Sequence, residues 1–239
     1  IGGEAFSLRV AADNFTPAEM KEGIEFAHAM GKKVYVTANI IPHNRDLKEM
    51  ERYFKEIYEL GADAVLISDL GAFNICKKAA PDLEIHISTQ ANNTNYMTVQ
   101  SWHEMGAKRV VLAREIPLDE IAEMRAKIPA DLEIECFVHG AMCVSFSGRC
   151  LISSYMTGRD SNKGECAHPC RWKYYLVEEN RPGEYMPIEE NERAKRLMAS
   201  IPRAVCGFLF MSATAAQPWP SVHRRAWPPC GVLCCHRCR

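Results

Sequence analysis

No stretch of this chain strings together the roughly 20 uncharged apolar residues that a membrane-crossing helix needs, which argues against a spanning segment. An initiating methionine, a charged leader and an apolar leader core are also missing ahead of Ile1-Gly2-Gly3-Glu4. That opening reads as the end of a strand and the loop after it, so the expectation is a fragment or processed chain with no secretory signal, in the cytoplasm. Glycine and proline, 14 and 13 of 239 residues, are too sparse for a collagen or a low-complexity chain. No GxGxxG or GxxxxGK[ST] follows any apolar run, which takes away the best support for a nucleotide-binding fold, and no HExxH marks a zinc protease. Acidic residues are missing from one whole region. From Arg193 to Arg239 there are eight Lys or Arg and no Asp or Glu, so the net charge of -1 divides into +8 there and -9 on residues 1–192.

What is present in residues 1–140 is an alternation. Thr16-Pro17 with Glu19 reads as a capping box, Met20, Ile24, Ala27 and His28 follow at helical spacing, and Gly31 ends the helix. A second helix runs through Met50, Tyr53, Phe54, Ile57 and Leu60 to Gly61, and others are expected near 70–80, 94–105 and 118–127. Met20, Phe26, Tyr53 and Phe54 read as packing residues. Short β-branched runs at 34–39, 64–69, 84–89, 109–113 and 132–138 read as buried strands. Strands alternating with capped helices mean a parallel sheet, either doubly wound or closing as a barrel. The sequential regularity favours an α/β fold of the barrel kind, an incomplete (β/α)8 TIM-like barrel.

In a barrel, chemistry gathers where strands end. Those ends carry Asn39, Asp69, Ser88-Thr89-Gln90 with Asn92, Arg114-Glu115 and His139. Amides, acids, a guanidinium and an imidazole on one rim suit a polar or anionic small molecule, although loop ends are polar in any protein.

The strongest local signal follows. Cys143, Cys150, Cys166 and Cys170 are spaced C-x6-C-x15-C-x3-C, with Gly140, Gly148, Gly158 and Gly164 supplying turns among them. Four thiolates satisfy a tetrahedral zinc or an iron–sulfur cube. Only Cys166 and Cys170 approach a zinc knuckle, and the wide, irregular gaps suit a cluster better. Buried free thiols, disulfides and a nucleophilic thiol near His139 and Arg149 remain as alternatives. Cys76 and Cys136 read as structural, and Cys206, Cys230, Cys234, Cys235 and Cys238 fall in the acid-free tail.

The stretch Glu135-Cys136-Phe137-Val138-His139-Gly140-Ala141-Met142-Cys143, continued by Ser147-Gly148-Arg149-Cys150-Leu151-Ile152-Ser153, resembles the signature of the collagenase-like peptidases, family thirty-two of the unknown-type (U) peptidases. Arg159-Asp160, Asn162-Lys163-Gly164, Cys166 and Cys170-Arg171-Trp172 extend the likeness. His86-Ile87-Ser88-Thr89-Gln90-Ala91-Asn92, Trp102-His103-Glu104 and Gly106-Ala107-Lys108-Arg109 are similar to the family's barrel segments. The resemblance covers about residues 1–192 and is strongest toward the branch of bacterial tRNA hydroxylation proteins. It implies a four-iron four-sulfur cluster on Cys143, Cys150, Cys166 and Cys170, with zinc as the alternative. It also implies tRNA as partner, through regions beyond this chain, and a small anionic co-substrate such as prephenate. The family's name leaves a collagenase-like protease as a second reading, and a non-catalytic metal-stabilised module is a third.

These readings divide the chain into a partial barrel (1–142), a Cys-rich segment continuing it (143–192) and an atypical basic tail (193–239). The family has a strand and helix before Ile1 and a further domain after this region. The tail matches neither and reads as a frameshifted, non-native sequence, its rival being a functional RNA-binding tail with a cysteine knuckle.

Overall fold

The computed structural model describes residues 1–8, 13–139, 143, 145–187 and 209–213, with backbone alone for 138–139 and 209–213. Five strands alternate with five helices. They are α1 (Pro17–Ala29), β1 (Tyr35–Ala38), α2 (Leu47–Glu59), β2 (Ala64–Ile67), α3 (Leu70–Ala79), β3 (Glu84–Ile87), α4 (Tyr96–Met105), β4 (Arg109–Val111), α5 (Leu118–Lys127) and β5 (Glu133–His139). The local reasons are those the sequence offers. Thr16 and Glu19 close the capping box of α1, and Asn95 caps α4 by accepting from the Thr98 amide. Gly31, Gly61 and Gly106 reverse the chain after α1, α2 and α4 at positive φ, where a side chain would be strained.

All five strands are parallel and lie in sequential order, each beside the next. A doubly wound sheet reverses its strand order at a switch point, and this one does not. With right-handed crossovers, sequential order sends every helix to the same face, as on a barrel wall. The expected α/β class with a parallel sheet is thus observed, while the sheet does not close on itself among the described residues. Residues 1–3 extend it by bridging to Thr37 beside β1. At the other edge β8 (Leu209–Ala213) pairs antiparallel with β5. That strand lies inside the region expected to be non-native; the rest of 193–239 lies outside the described residues.

The register sorts the strands into two faces. Ala38, Ile67, Ile87, Val110 and Ile134 stand side by side across all five strands, and Val36, Val65 and Ile85 form a second row. They join Met20, Ile24, Met50, Phe54, Ile57, Phe73, Val99 and Met124 from the helices in one continuous core. The opposite face has a different character. Thr37, Leu66, His86, Arg109 and Glu133 form its matching row. Arg109 Nε donates to Glu133 Oε2 at 2.6 Å and its Nη1 to Glu135 Oε2 at 3.3 Å. The guanidinium lies 5.0 Å from the Tyr35 ring centroid, and Tyr35 meets His86 edge to face at 4.7 Å. This ionic layer was not anticipated from the sequence.

After β5 the chain builds a small lobe. It contains α6 (Ile152–Thr157), 3-10 turns at Ser161–Lys163 and Pro169–Arg171, and a two-stranded ribbon of β6 (Tyr175–Leu176) and β7 (Met186–Pro187).

Candidate functional site

Because the strands are parallel, their C-terminal ends share one edge, and that edge is built of hydrogen-bonding side chains. Asn39, directly after β1, donates from Nδ2 to Ser88 Oγ at 3.2 Å and to Gln90 Oε1 at 3.5 Å. Ser88 Oγ donates to Gln90 Oε1 at 2.7 Å, and Ser68 Oγ, after β2, donates to the Asn39 carbonyl at 3.0 Å. The ends of β1, β2 and β3 are therefore stitched together. Asn92 closes the turn Thr89–Ala91 at φ 58, with its Oδ1 buried and unpartnered among the described residues. Arg114 is half-buried after β4, and Glu115 beside it is exposed. Asp69 turns away from this set: its Oδ1 accepts from the Ala72 amide at 2.9 Å and caps α3. The expected role of Asp69 as a ligand-binding carboxylate competes with that cap. His139 ends β5, and its side chain lies outside the described residues.

The cysteine-bearing lobe is fastened over this edge at four places. Arg114 donates to Ser147 Oγ from Nη2 at 2.6 Å and from Nε at 3.1 Å, and Ser147 is buried. The Ile41 amide donates to the Asn162 carbonyl at 2.9 Å. Lys163 Nζ sits 2.5 Å from Asp46 Oδ2. Burial alone would raise the Asp46 carboxyl, but Lys163 and the His43 amide together hold it below the usual carboxylate range. Gly148, at φ +69, presses so close that an added Cβ would stand 2.4 Å from the Gln90 carbonyl oxygen. Gly148→Ala is therefore expected to lift the lobe off the rim through both a backbone clash and a disfavoured φ. Protease sensitivity confined to residues 143–187, with an unchanged far-ultraviolet spectrum, would register that loss.

All four cysteines of the lobe are free thiols, Cys143 and Cys170 exposed, Cys150 and Cys166 half-buried. Burial raises the Cys170 thiol above its ordinary value, Arg171 opposes this, and Cys143, Cys166 and Cys150 each raise it further. No three His, Cys, Asp or Glu side chains among the described residues stand at single-ion coordination distance.

The turns carrying the thiols are held from behind. The Cys150 carbonyl accepts from Ser161 Oγ at 2.9 Å and Asn162 Nδ2 at 3.0 Å. The His168 amide donates to Cys166 Sγ at 3.3 Å, with His168 itself at φ 56. Ser153 Oγ accepts from the Ala167 amide at 3.1 Å, and Tyr174 donates to the Pro169 carbonyl at 2.8 Å. Cys76 and Cys136 lie apart in the core, where burial pushes the Cys76 thiol up to about 12 and raises Cys136 as well. Of the residues that organise the site, Asp46 was not anticipated, and Ser147 and Lys163 stood in the family-like stretches without a role of their own, because their partners are distant in sequence.

Peptidase family U32 matches residues 1–210. The chain is 42% identical over 212 residues to the tRNA hydroxylation protein P1 of Bacillus subtilis (strain 168), covering 86% of this chain and 50% of that protein. It is 40% identical over 238 residues to the tRNA hydroxylation protein P of Escherichia coli (strain K12), covering 83% and 52% respectively. To the 23S rRNA 5-hydroxycytidine C2501 synthase of the same organism it is 35% identical over 213 residues, covering 87% and 32%. The chain spans about half the length of the tRNA hydroxylation proteins it matches.

Proposed function

The chain belongs to peptidase family U32, and on that premise we propose that it is the metal-bearing part of a protein that hydroxylates the wobble uridine of tRNA. One observation carries the reading: four free cysteines lie in one small lobe whose turns are hydrogen-bonded to one another and which is fastened over the polar ends of the strands. Relatives named for tRNA hydroxylation match more than four fifths of the chain, which supports the same reaction class.

The donor set fits a four-iron four-sulfur cluster on Cys143, Cys150, Cys166 and Cys170, zinc being the alternative for four thiolates. Such a cluster, when bound, supplies one-electron chemistry. The chain's own residues do the rest. The His168 amide donates to Cys166 Sγ and holds its direction, and Arg171 beside Cys170 opposes the rise that burial gives that thiol. Arg114 offers a planar guanidinium to a carboxylate at the rim, the role for a small anionic co-substrate such as prephenate. Asn39 and Gln90, already fixed by Ser88, hold their amides ready for its hydroxyl or carbonyl groups. No helix among the described residues is long and apolar enough to cross a membrane.

The test has two parts. Anaerobically purified chain should be brown, absorb near 400 nm and contain about four iron and four sulfide per chain. A colourless protein with stoichiometric zinc would overturn the cluster. In cells lacking the native gene, mass spectrometry of tRNA nucleosides should regain hydroxylated wobble uridine when the full-length protein returns; its continued absence would overturn the reaction. The collagenase-like protease has one observation of its own, Cys166 Sγ 3.7 Å from His168 Nδ1, a spacing that a nucleophile and its base could tighten. Peptide cleavage that survives iron removal and disappears in Cys166→Ser would favour that reading.

A further inference from the structure

Charge is distributed unevenly between the sheet and the lobe. Residues 1–142 carry 22 acidic and 15 basic side chains, whereas the lobe, residues 145–187, carries five acidic and six basic, with Glu178, Glu179 and Glu184 gathered between β6 and β7. Arg149, Arg159, Arg171 and Lys173 are exposed and make no ion pair among the described residues. The lobe also leaves rings in solvent. Tyr155 is 91% exposed, Tyr175 55% and Trp172 47%. Tyr174 OH contacts Met156 Sδ at 3.3 Å as well as the Pro169 carbonyl, which ties α6 to the turn before Trp172 and Tyr175. The rings and cations thus lie on the same lobe, outside the core.

Exposed aromatic side chains interleaved with unpaired cations are the composition of a surface that stacks bases and tracks phosphates. An interface with another protein domain would bury the apolar rings but leave four uncompensated cations beside them. A polyanion uses both. It is also repelled by the net acidic sheet, while Arg149, Arg159, Arg171 and Lys173 of the lobe give its phosphates local partners.

We propose that the outer face of the lobe is a platform for single-stranded RNA, with Tyr155, Trp172 and Tyr175 stacking unpaired bases and Arg149, Arg159, Arg171 and Lys173 holding phosphates. This rests on the reading of the chain as an RNA-hydroxylating protein and adds where the RNA lies. An unstacked base held there is delivered toward the cysteines and the strand ends beneath. Duplex RNA, whose bases are already stacked, gains only the phosphate contacts.

The experiment measures binding and does not depend on turnover. The 239-residue chain with its metal site loaded is titrated by fluorescence anisotropy with a labelled ~20-nucleotide oligouridylate and with an RNA duplex of equal length. Tyr155→Ala should weaken the single strand by about fivefold or more and leave duplex binding unchanged. The pair Arg159→Ala with Lys173→Ala should flatten the slope of log K against log salt by about 1.4 units. Neither variant should change metal content. Equal affinity for duplex and single strand, or unchanged binding by both variants, overturns the platform. So does a pattern in which the variants lower only the thermal midpoint, since the face is then covered by protein. Restored wobble hydroxylation with unaltered RNA affinity would sink the platform alone, and weakened RNA binding without hydroxylation would sink the reaction alone.

Discussion

Cys143→Ser, Cys150→Ser and Cys166→Ser should each remove the absorbance near 400 nm expected of the proposed cluster and lower hydroxylation by about 100-fold, while Cys76→Ser should leave both in place. A serine hydroxyl is close in size to the thiol but is not ionised at neutral pH, so an iron that loses its thiolate gains no anionic ligand in return. The replaced cysteines lie in a lobe held by hydrogen bonds to carbonyls and side chains behind them. If the proposed cluster is bound there, its loss should loosen the lobe while the sheet keeps its helices. Cys170→Ser should behave as the other three do, because Cys170 completes the proposed four-thiolate set with Cys143, Cys150 and Cys166. Cys76 is fully buried among apolar side chains of the core, and replacing it costs stability without touching metal. Iron analysis on the five purified variants decides the matter. Full iron in any two of the lobe variants would dismiss the four-cysteine ligand set.

The sheet and its helices were legible because their signals are local. Thr16-Pro17 with Glu19, the glycines after helices and the short β-branched runs each act within one turn of chain, and the observed elements fall where those signals place them. The Asp69 cap was equally local, an Asp directly before Leu70 with Ala72 two residues further on, yet its place at a strand end drew a ligand-binding reading instead. Contacts that fasten the lobe were not legible. Lys163 and Asp46 are 117 residues apart, and nothing near either one announces the other. Strand β8 was missed for a related reason: Leu209–Ala213 is too short to show a period, and only pairing with β5 makes it a strand. The ionic layer had a visible cue that went unused. Glu133 and Glu135 alternate with Ile134 and Cys136, and His86 alternates with Ile85 and Ile87, which is how a strand displays a second, polar buried face.

That layer is where a single substitution should do most to the fold. Arg109→Met is expected to lower stability by about 3–5 kcal/mol at neutral pH, because it strands two carboxylates in a site built around one guanidinium. Arg109 is the shared partner of Glu133 and Glu135 and lies beside Tyr35, with only 13% of its side chain exposed. The pH dependence distinguishes this cause from a simple packing defect. Burial already raises Glu135 above the ordinary carboxylate value, and Arg109 is the main opposing influence. Without it Glu135 rises further, so the folded state holds a proton that the unfolded chain has released. Stability of the variant then falls as pH climbs through the window above about 4.3, the unfolded glutamate value, and recovers on acidification. His86 works in the opposite sense. Burial first, then the charges of Arg109 and Lys33, push it down to about 3, so the native chain loses stability as pH drops from about 6.5 toward that value. Removing Arg109 relieves part of this depression and shortens the acid limb. Both shifts move the variant's optimum toward acid. Urea unfolding at pH 5.5 and 7.5 should therefore find the Arg109→Met penalty clearly smaller at the lower pH, with Arg109→Lys intermediate because it keeps the charge and loses the fork. Equal penalties at the two pH values would mean that Arg109 contributes packing and not charge.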